Sequence, residues 1–255
     1  MNLRDLCPTI YGPVQSRRHG LSLGINLGDP GAKACTWSCI YCQCGFGNRV
    51  ETMGGGFIPS VEQVVSGLKT AIEQQPAVDS VTIAGNSEPT SHPLFAEVVE
   101  AVLAFRSASG GRWIFNSLSN GSGLDDQKVV SACNRLDEIW IKFDCATDEL
   151  FRRLNRPAAR VGTVAEHLSR IRKLENPRIQ SLFWLFPDRP EMSNWTEKNR
   201  EAVLTAYREI APAQIFITTI KREPAMRGLE PVPLEELESF GDRAKAAGSD
   251  VKVFI

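Results

Sequence analysis

The 255-residue sequence predicts an α/β protein built on a parallel β-sheet. Short apolar runs alternate with amphipathic runs in units of roughly 30–40 residues, a pattern typical of repeated strand–helix pairs. No second zone of composition and no long linker interrupts this pattern, so we expect one domain over residues 1–255. A chain of this length is also long enough for a single α/β barrel.

Each predicted strand is a short apolar run that ends in polar or turn residues. We expect the first strand to follow an irregular lead-in over residues 1–20. The predicted strands are 21–27, 80–85, 113–119, 138–143, 179–185 and 214–219.

The predicted helices lie between these strands. The first begins at a Ser60 N-cap and buries the face that carries Val64 and Leu68. Later helices are predicted at 93–105, 125–134, 163–175 and 197–209. Residues 228–255 end the chain with a helix over 234–247 and a strand over 251–254.

The composition argues against some classes of protein and favours others. Lys and Arg total 29 against 30 for Asp and Glu, a formal net charge of -1, which argues against a non-specific grip on nucleic acid. No run approaches the ~18 apolar residues of a membrane span, so we expect no membrane partner. Seven cysteines without a secretory signal suggest a reducing, cytoplasmic location and a use in metal or redox chemistry.

Three cysteines lie close together after the first strand. Cys35, Cys39 and Cys42 stand in the sequence CTWSCIYC, and thiolates so close together favour a metal centre. A [4Fe–4S] cluster usually takes four thiolates, so three would leave one iron for another ligand. A closed zinc site with Cys44 as the fourth thiolate is the main alternative, and disulfides would need an oxidising compartment.

Polar residues follow the next three strands in the same way. Glu88 follows the second strand, Asn120 the third and Asp144 the fourth. In parallel βα folds the loops after the carboxyl ends of the strands carry functional residues. Each of these residues alone fits a turn, and Asp144 alone also fits a helix N-cap. Because all three follow the carboxyl ends of strands, we expect them to lie on one edge of the sheet and to form a functional site at that edge.

These residues resemble the radical S-adenosylmethionine (radical SAM) superfamily. The similarity is greatest to wybutosine-synthesis-type, 4-demethylwyosine synthase-like proteins of bacteria and archaea, and it covers nearly the whole chain. Beyond the cysteine motif it rests on residues 11–18 (YGPVQSRR), 85–93 (GNSEPTSHP), 142–144 (KFD), 154–157 (LNRP) and 221–224 (KREP). The resemblance implies a radical SAM core, a partial (β/α)6 TIM-type barrel.

The resemblance also implies the cofactors. Cys35, Cys39 and Cys42 would hold a [4Fe–4S] cluster whose fourth iron binds the methionine amine and carboxylate of S-adenosylmethionine. An external donor such as flavodoxin or ferredoxin would supply the electron for reductive cleavage to a 5′-deoxyadenosyl radical. The backbone of Tyr41 would contact the adenine.

Further binding residues follow from the same resemblance. The second-strand motif would bind the methionine ammonium through Gly85, Asn86, Ser87 and Glu88. Ser87 stands where the superfamily usually has glycine. Asn120 would hydrogen-bond ribose hydroxyls or the carboxylate, and Asp144 would accept hydrogen bonds from ribose hydroxyls.

Two cations are candidate catalytic residues. Lys142 alternates with apolar neighbours and faces either into or out of the barrel. Facing inward, it would pair with the methionine carboxylate, or form an imine with a carbonyl substrate, since wybutosine-type relatives use pyruvate. Arg222, with Arg17 and Arg18, is a candidate for binding an anion.

The remaining cysteines and one histidine receive separate expectations. Cys7, Cys44 and Cys145 are candidates for an auxiliary cluster, whereas Cys133 reads as a core residue. His92, in Thr-Ser-His-Pro, reads as a turn residue.

The sequence therefore predicts a radical SAM enzyme that acts on a small molecule or a natural product. A tRNA-modifying enzyme of wybutosine type is the alternative within the superfamily, although the balanced charge and the lack of an appended RNA-binding domain count against it. A non-catalytic zinc-binding protein is the alternative from another class.

Overall fold

A computed structural model describes residues 8–50, 58–246 and 248–255 of the chain. The strands are β1 (Ile10–Ser16), β2 (Gly20–Ile25), β3 (Ala34–Cys35), β4 (Asn48–Arg49), β5 (Ser80–Ile83), β6 (Ile114–Ser119), β7 (Glu138–Lys142), β8 (Arg178–Leu185), β9 (Gln214–Thr219), β10 (Glu230–Pro231) and β11 (Asp250–Phe254). The α-helices are α1 (Val61–Gln74), α2 (Phe95–Ser109), α3 (Gln127–Asn134), α4 (Asp148–Leu150), α5 (Val164–Ile171), α6 (Glu197–Ile210) and α7 (Leu234–Lys245). Short 3-10 turns lie at Pro89–Ser91, Ala159–Val161 and Pro190–Met192, and a π turn at Phe151–Asn155.

The main sheet follows the order of the chain. Its strands pair in the order β1-β2-β5-β6-β7-β8-β9-β11, and every pair from β2 to β11 is parallel. Sequential parallel neighbours joined by helices curve into a barrel. Within the described residues β11 and β1 are not neighbours in the sheet, so the barrel is open. The predicted partial TIM-type barrel is confirmed.

The predicted irregular lead-in is wrong in its second half. Residues 10–16 form β1, which pairs antiparallel with β2, while residues 1–7 lie outside the described residues. Gly12 and Pro13 hide this strand in the sequence, because they break the apolar alternation. The register shifts between Tyr11 and Val14, and an edge strand tolerates a proline that a central strand would not.

Capping residues set the helix starts. Ser60 caps α1 and forms a capping box with Gln63, which confirms the predicted start. Thr163 caps α5 in the same way. The helix predicted at 163–175 ends earlier, at Ile171.

The two faces of the sheet differ in what they contact. Phe183 of β8 packs against Phe240 of α7, with ring centroids 5.2 Å apart, so this face is covered by helices. Because side chains alternate along a strand, Leu182 and Trp184 face the barrel interior. Polar contacts occur on the interior face as well, for example between Ser22 and Thr82, whose hydroxyls lie 3.0 Å apart.

His167 of α5 joins the helix layer to the cysteine segment. Its ring lies 5.3 Å from that of Trp37 and 6.0 Å from that of Phe151. Nε2 lies 3.0 Å from the carbonyl oxygen of Lys142, while Nδ1 is buried without a hydrogen-bond partner among the described residues. Burial lowers the pKa of His167 to about 4.

This histidine should make stability depend on pH. The unfolded chain takes up a proton near pH 6.5 and the folded chain only near pH 4, so the folded state binds fewer protons between these values. Acidification from about pH 7.5 to about pH 4.5 should therefore lower the free energy of unfolding by about 2 kcal/mol through His167. Urea denaturation at each pH measures the change.

The control is His167→Gln, whose amide can still donate to the Lys142 carbonyl oxygen but does not titrate. Burial also lowers the pKa of His92 to about 4, so His92 contributes the same loss of stability on acidification in both proteins. The variant should lose less stability on acidification than the wild type. An equal loss in the two proteins would contradict the assignment.

Candidate functional site

Backbone hydrogen bonds fix the cysteine loop, residues 34–45, to the loops of three other strands. The Ala34 amide donates to the Asn86 carbonyl after β5, at 3.2 Å. The Ile40 amide donates to the Leu154 carbonyl after β7, at 3.0 Å, and the Met226 amide after β9 donates to the Ile40 carbonyl, at 2.9 Å. The loop therefore lies across the carboxyl ends of the strands, where the sequence places it.

Two of the three cysteine sulfurs have amide groups aimed at them. Asn120 Nδ2 lies 3.6 Å from Cys35 Sγ, and Asn155 Nδ2 lies 3.6 Å from Cys39 Sγ. The Trp37 amide also points at Cys35 Sγ, at 3.4 Å. N–H groups directed at sulfur stabilise thiolates and are a means of tuning iron–sulfur ligands.

The three cysteines differ in acidity. Burial raises the pKa of Cys35 well above its usual value and that of Cys39 to about 11. A hydrogen bond from Cys44, supported by the Lys33 ammonium, lowers the pKa of Cys42 to about 5 despite its burial.

Lys33 is a site residue that the sequence analysis missed. Its Nζ donates to the Gly45 carbonyl at 2.6 Å, so the side chain crosses the cysteine loop. Burial opposes the charge, but the negative charge of the neighbouring sulfurs as thiolates, at Cys42 first and then at Cys39 and Cys35, raises the pKa of Lys33 above its usual value. A positive charge therefore stands beside all three cysteines.

Glu88 is a buried carboxylate at the end of β5. Its oxygens accept hydrogen bonds from the Asn120 amide at 2.7 Å and the Thr90 amide at 2.9 Å, and from the hydroxyls of Thr90 and Ser119. Burial raises the pKa of Glu88, and these hydrogen bonds oppose the rise without cancelling it. Among the described residues it has no ion-pair partner.

The residues before Glu88 are tightly packed. A Cβ atom on Gly85 would lie 2.1 Å from Asn26 Oδ1, so only glycine fits there. Asn86 Nδ2 donates to the carbonyl oxygens of Asp29, at 2.7 Å, and Ala32, at 3.2 Å. Asn86 therefore fixes the segment that leads into the cysteine loop. Both of these hydrogen bonds use its side-chain nitrogen, which leaves that nitrogen no hydrogen for a ligand.

Ser87 and Asn120 are likewise engaged by the cysteine loop. Ser87 forms a parallel β-bridge with Ala34. Besides Cys35, Asn120 Nδ2 contacts Thr36 Oγ1 at 3.0 Å, and its Oδ1 accepts the Ser122 amide at 3.0 Å. Asn120 thus positions the loop in this structure.

Asp144 is the centre of a second buried network. Its Oδ1 is 2.9 Å from Lys142 Nζ and 2.8 Å from the Leu182 amide. Its Oδ2 accepts hydrogen bonds from the Tyr41 hydroxyl and from Asn155 Nδ2. The helix N-cap interpretation of Asp144 is wrong, since Thr147 caps α4.

Lys142 faces the barrel interior, which settles the orientation that alternation left open. Its Nζ pairs with Asp144 and lies 5.0 Å from the centroid of the Tyr41 ring. Imine formation would need this nitrogen as a free nucleophile, and here it is held by the Asp144 carboxylate.

The outlying candidates separate into three groups. Arg222 is exposed and donates to Gln43 Oε1 of the cysteine loop at 2.9 Å. Cys44 Sγ lies 3.7 Å from the Gly85 carbonyl oxygen, Cys145 is buried, and Cys7 lies outside the described residues. Cys133 is in the core and His92 ends a 3-10 turn, as predicted.

In the described residues no group of three or more His, Cys, Asp or Glu side chains is arranged to hold a single metal ion. Nor does any described helix combine the length and apolar character that crossing a membrane requires.

Comparisons with known proteins agree with this geometry. A family model described as "Radical SAM superfamily" matches residues 31–193. A "UPF0026 protein" of Helicobacter pylori (strain ATCC 700392 / 26695) is 27% identical over 222 residues, which cover 86% of this chain and 68% of that protein.

Two solved structures illustrate the shared fold. Streptococcus suis SuiB bound to S-adenosylmethionine aligns with a TM-score of 0.62 at 11% identity, covering 88% of this chain and 49% of SuiB. Archaeal TYW1 aligns with a TM-score of 0.55 at 10% identity, covering 89% of this chain and 72% of that protein. The chain thus spans about half of SuiB, and at these identities the likeness concerns the fold alone.

The Asp144–Lys142 pair predicts a large effect on stability. Asp144→Asn should lower the free energy of unfolding by about 3 kcal/mol, because a partly buried ammonium loses its charged partner. Adding Lys142→Met should recover part of that loss. A double-mutant cycle in urea measures the coupling between the two residues, and strictly additive effects would contradict the pairing.

Proposed function

The chain belongs to the radical SAM superfamily, and on that premise we propose that Cys35, Cys39 and Cys42 hold its [4Fe–4S] cluster. Enzymes of this superfamily use such a cluster together with S-adenosylmethionine. Bound together, the two supply the reductive cleavage that releases methionine and a 5′-deoxyadenosyl radical.

The observation that carries the proposal is the arrangement of donors around the three cysteines. Asn120 and Asn155 direct amides at Cys35 and Cys39, and Lys33 adds a positive charge beside the group. Thiolate ligands bring negative charge into a partly buried loop, and these groups offset it. The donor set therefore fits a thiolate-bound cluster.

We assign Glu88 to the methionine ammonium of S-adenosylmethionine. A buried carboxylate without a cation costs free energy, and a bound ammonium would remove much of that cost. The hydroxyls of Thr90 and Ser119 hold the carboxylate in place beforehand. Gly85, Asn86 and Ser87 shape the adjoining backbone.

Asp144 acts on the cofactor indirectly in this proposal. It holds the Tyr41 hydroxyl and Asn155, and Asn155 in turn contacts Cys39. Asp144 is therefore a positioning residue for the cysteine loop. Lys142, charged and facing the interior, is suited to a carboxylate of S-adenosylmethionine or of the substrate.

The finer assignments remain predictions that rest on the sequence segments already described. We propose a small-molecule or natural-product substrate, an external electron donor such as flavodoxin or ferredoxin, a cytoplasmic location and one domain over residues 1–255. Kinship with wybutosine-type enzymes stays a prediction, and with it the tRNA alternative. An auxiliary cluster stays a prediction as well.

Anaerobic reconstitution with iron and sulfide tests the cluster assignment. The wild-type protein should turn brown and bind about four irons per chain. It should release 5′-deoxyadenosine when S-adenosylmethionine and dithionite are added. The triple variant Cys35→Ala/Cys39→Ala/Cys42→Ala should lose the colour, the iron and the product.

Cys133→Ala is the control, because Cys133 is a core cysteine on α3 and is neither an assigned ligand nor an auxiliary-cluster candidate. It should keep the iron and the colour. A wild-type protein that stays colourless and takes up one zinc per chain would contradict the proposal.

A further inference from the structure

The turn between β1 and β2 enters the amino-terminal end of the barrel. His19 Nε2 lies 2.8 Å from Glu138 Oε2, at the start of β7. The Arg18 guanidinium lies 5.3 Å from the Trp140 ring centroid and 5.0 Å from that of Phe216. These rings stack across β8, 4.1 Å apart, on the interior face. Arg18 is therefore inside the barrel.

Two further guanidiniums continue this line towards the cysteine loop. Arg17 Nη1 donates to Thr218 Oγ1 at 3.2 Å, and Thr218 shares the interior face of β9 with Phe216. Arg222 follows β9 and contacts Gln43, the residue after Cys42. The three arginines thus extend from the floor of the barrel to its mouth.

These arginines contact neutral groups. Arg17 bonds a hydroxyl, Arg222 bonds an amide, and Arg18 lies on two aromatic rings. Arg18 Nε is buried and has no hydrogen-bond partner among the described residues. The carboxylate of Glu138 attracts Arg18 but is already paired with His19 and Arg178.

Like charges also act on each other here. Partial burial and the Arg222 guanidinium lower the pKa of Arg17, and burial together with Arg17 lowers that of Arg18 to about 10. Gathering cations without a matching anion costs free energy, and a bound anion would recover it. Arg17 and Arg222 remain exposed and Arg18 half-buried, so a ligand can reach them.

We propose that Arg17, Arg18 and Arg222 form a binding site inside the barrel for an oxyanion group of the substrate, a carboxylate or a phosphate. Guanidinium groups bind both anions through paired N–H donors. The inference deepens the proposed function by restricting the substrate to anionic molecules. The inference rests on the proposed function only because it calls the bound anion a substrate; the anion site itself does not depend on the cluster.

Calorimetric titration of the reconstituted protein tests the site. Inorganic phosphate and succinate serve as separate probes, and S-adenosylmethionine is present throughout so that its own carboxylate site is filled. At least one probe should bind the wild type. Arg17→Gln and Arg222→Gln should each weaken that binding about tenfold, the loss expected for one charge-assisted hydrogen-bonded pair.

Arg243→Gln is the matched control, since Arg243 is an exposed arginine on α7 that is bonded to Glu201. It should bind the probe like the wild type, and circular dichroism checks that all variants are folded. Stronger binding of phosphate than of succinate would indicate a phosphorylated substrate, and the reverse a carboxylated one. Both results support the site.

Absence of binding to the wild type, or equal weakening in Arg243→Gln, would overturn the site. These outcomes are independent of the cluster. A brown protein that cleaves S-adenosylmethionine but binds neither probe refutes the site and leaves the proposed function standing. A colourless protein with arginine-dependent anion binding keeps the site and refutes the proposed function.

Discussion

Backbone hydrogen bonds from the loops after β5, β7 and β9 determine the shape of the cysteine loop, and the rest of the site depends on them. Irregular loops are normally mobile because few contacts constrain them. Here the loop accepts and donates hydrogen bonds on several sides, at Ala34 and Ile40 among others. The cysteines are therefore held by the whole strand edge and not by their own segment.

The carboxyl ends of the strands also bring several buried acidic groups together, and burying such groups costs free energy unless they are paired or hydrogen-bonded. Glu88 and Asp144 are buried carboxylates, and the thiols of Cys35 and Cys39 lie near them. Hydroxyl and amide donors satisfy Glu88, while Lys142 neutralises Asp144. Glu88, the carboxylate that lacks a cationic partner among the described residues, is the one that we assign to the methionine ammonium of S-adenosylmethionine.

The sequence was sufficient for most of the fold and for part of the site. Residues 214–219 are predicted as a strand and form β9, because a short run rich in β-branched and aromatic residues favours a strand over a helix. β1 was missed because Gly12 and Pro13 break the alternation that reveals a strand. Only the tertiary fold shows which way Lys142 points and what Lys33 contacts. The local sequence does not determine which distant group a long, charged side chain reaches.

The Mössbauer spectrum of protein reconstituted with iron-57 shows whether three protein thiolates leave one iron of the cluster open. Spectra would be recorded anaerobically before and after addition of S-adenosylmethionine. We expect four irons per cluster, one of which changes its spectrum when S-adenosylmethionine binds. A cluster whose irons all stay unchanged, or a protein that holds no cluster, would contradict it.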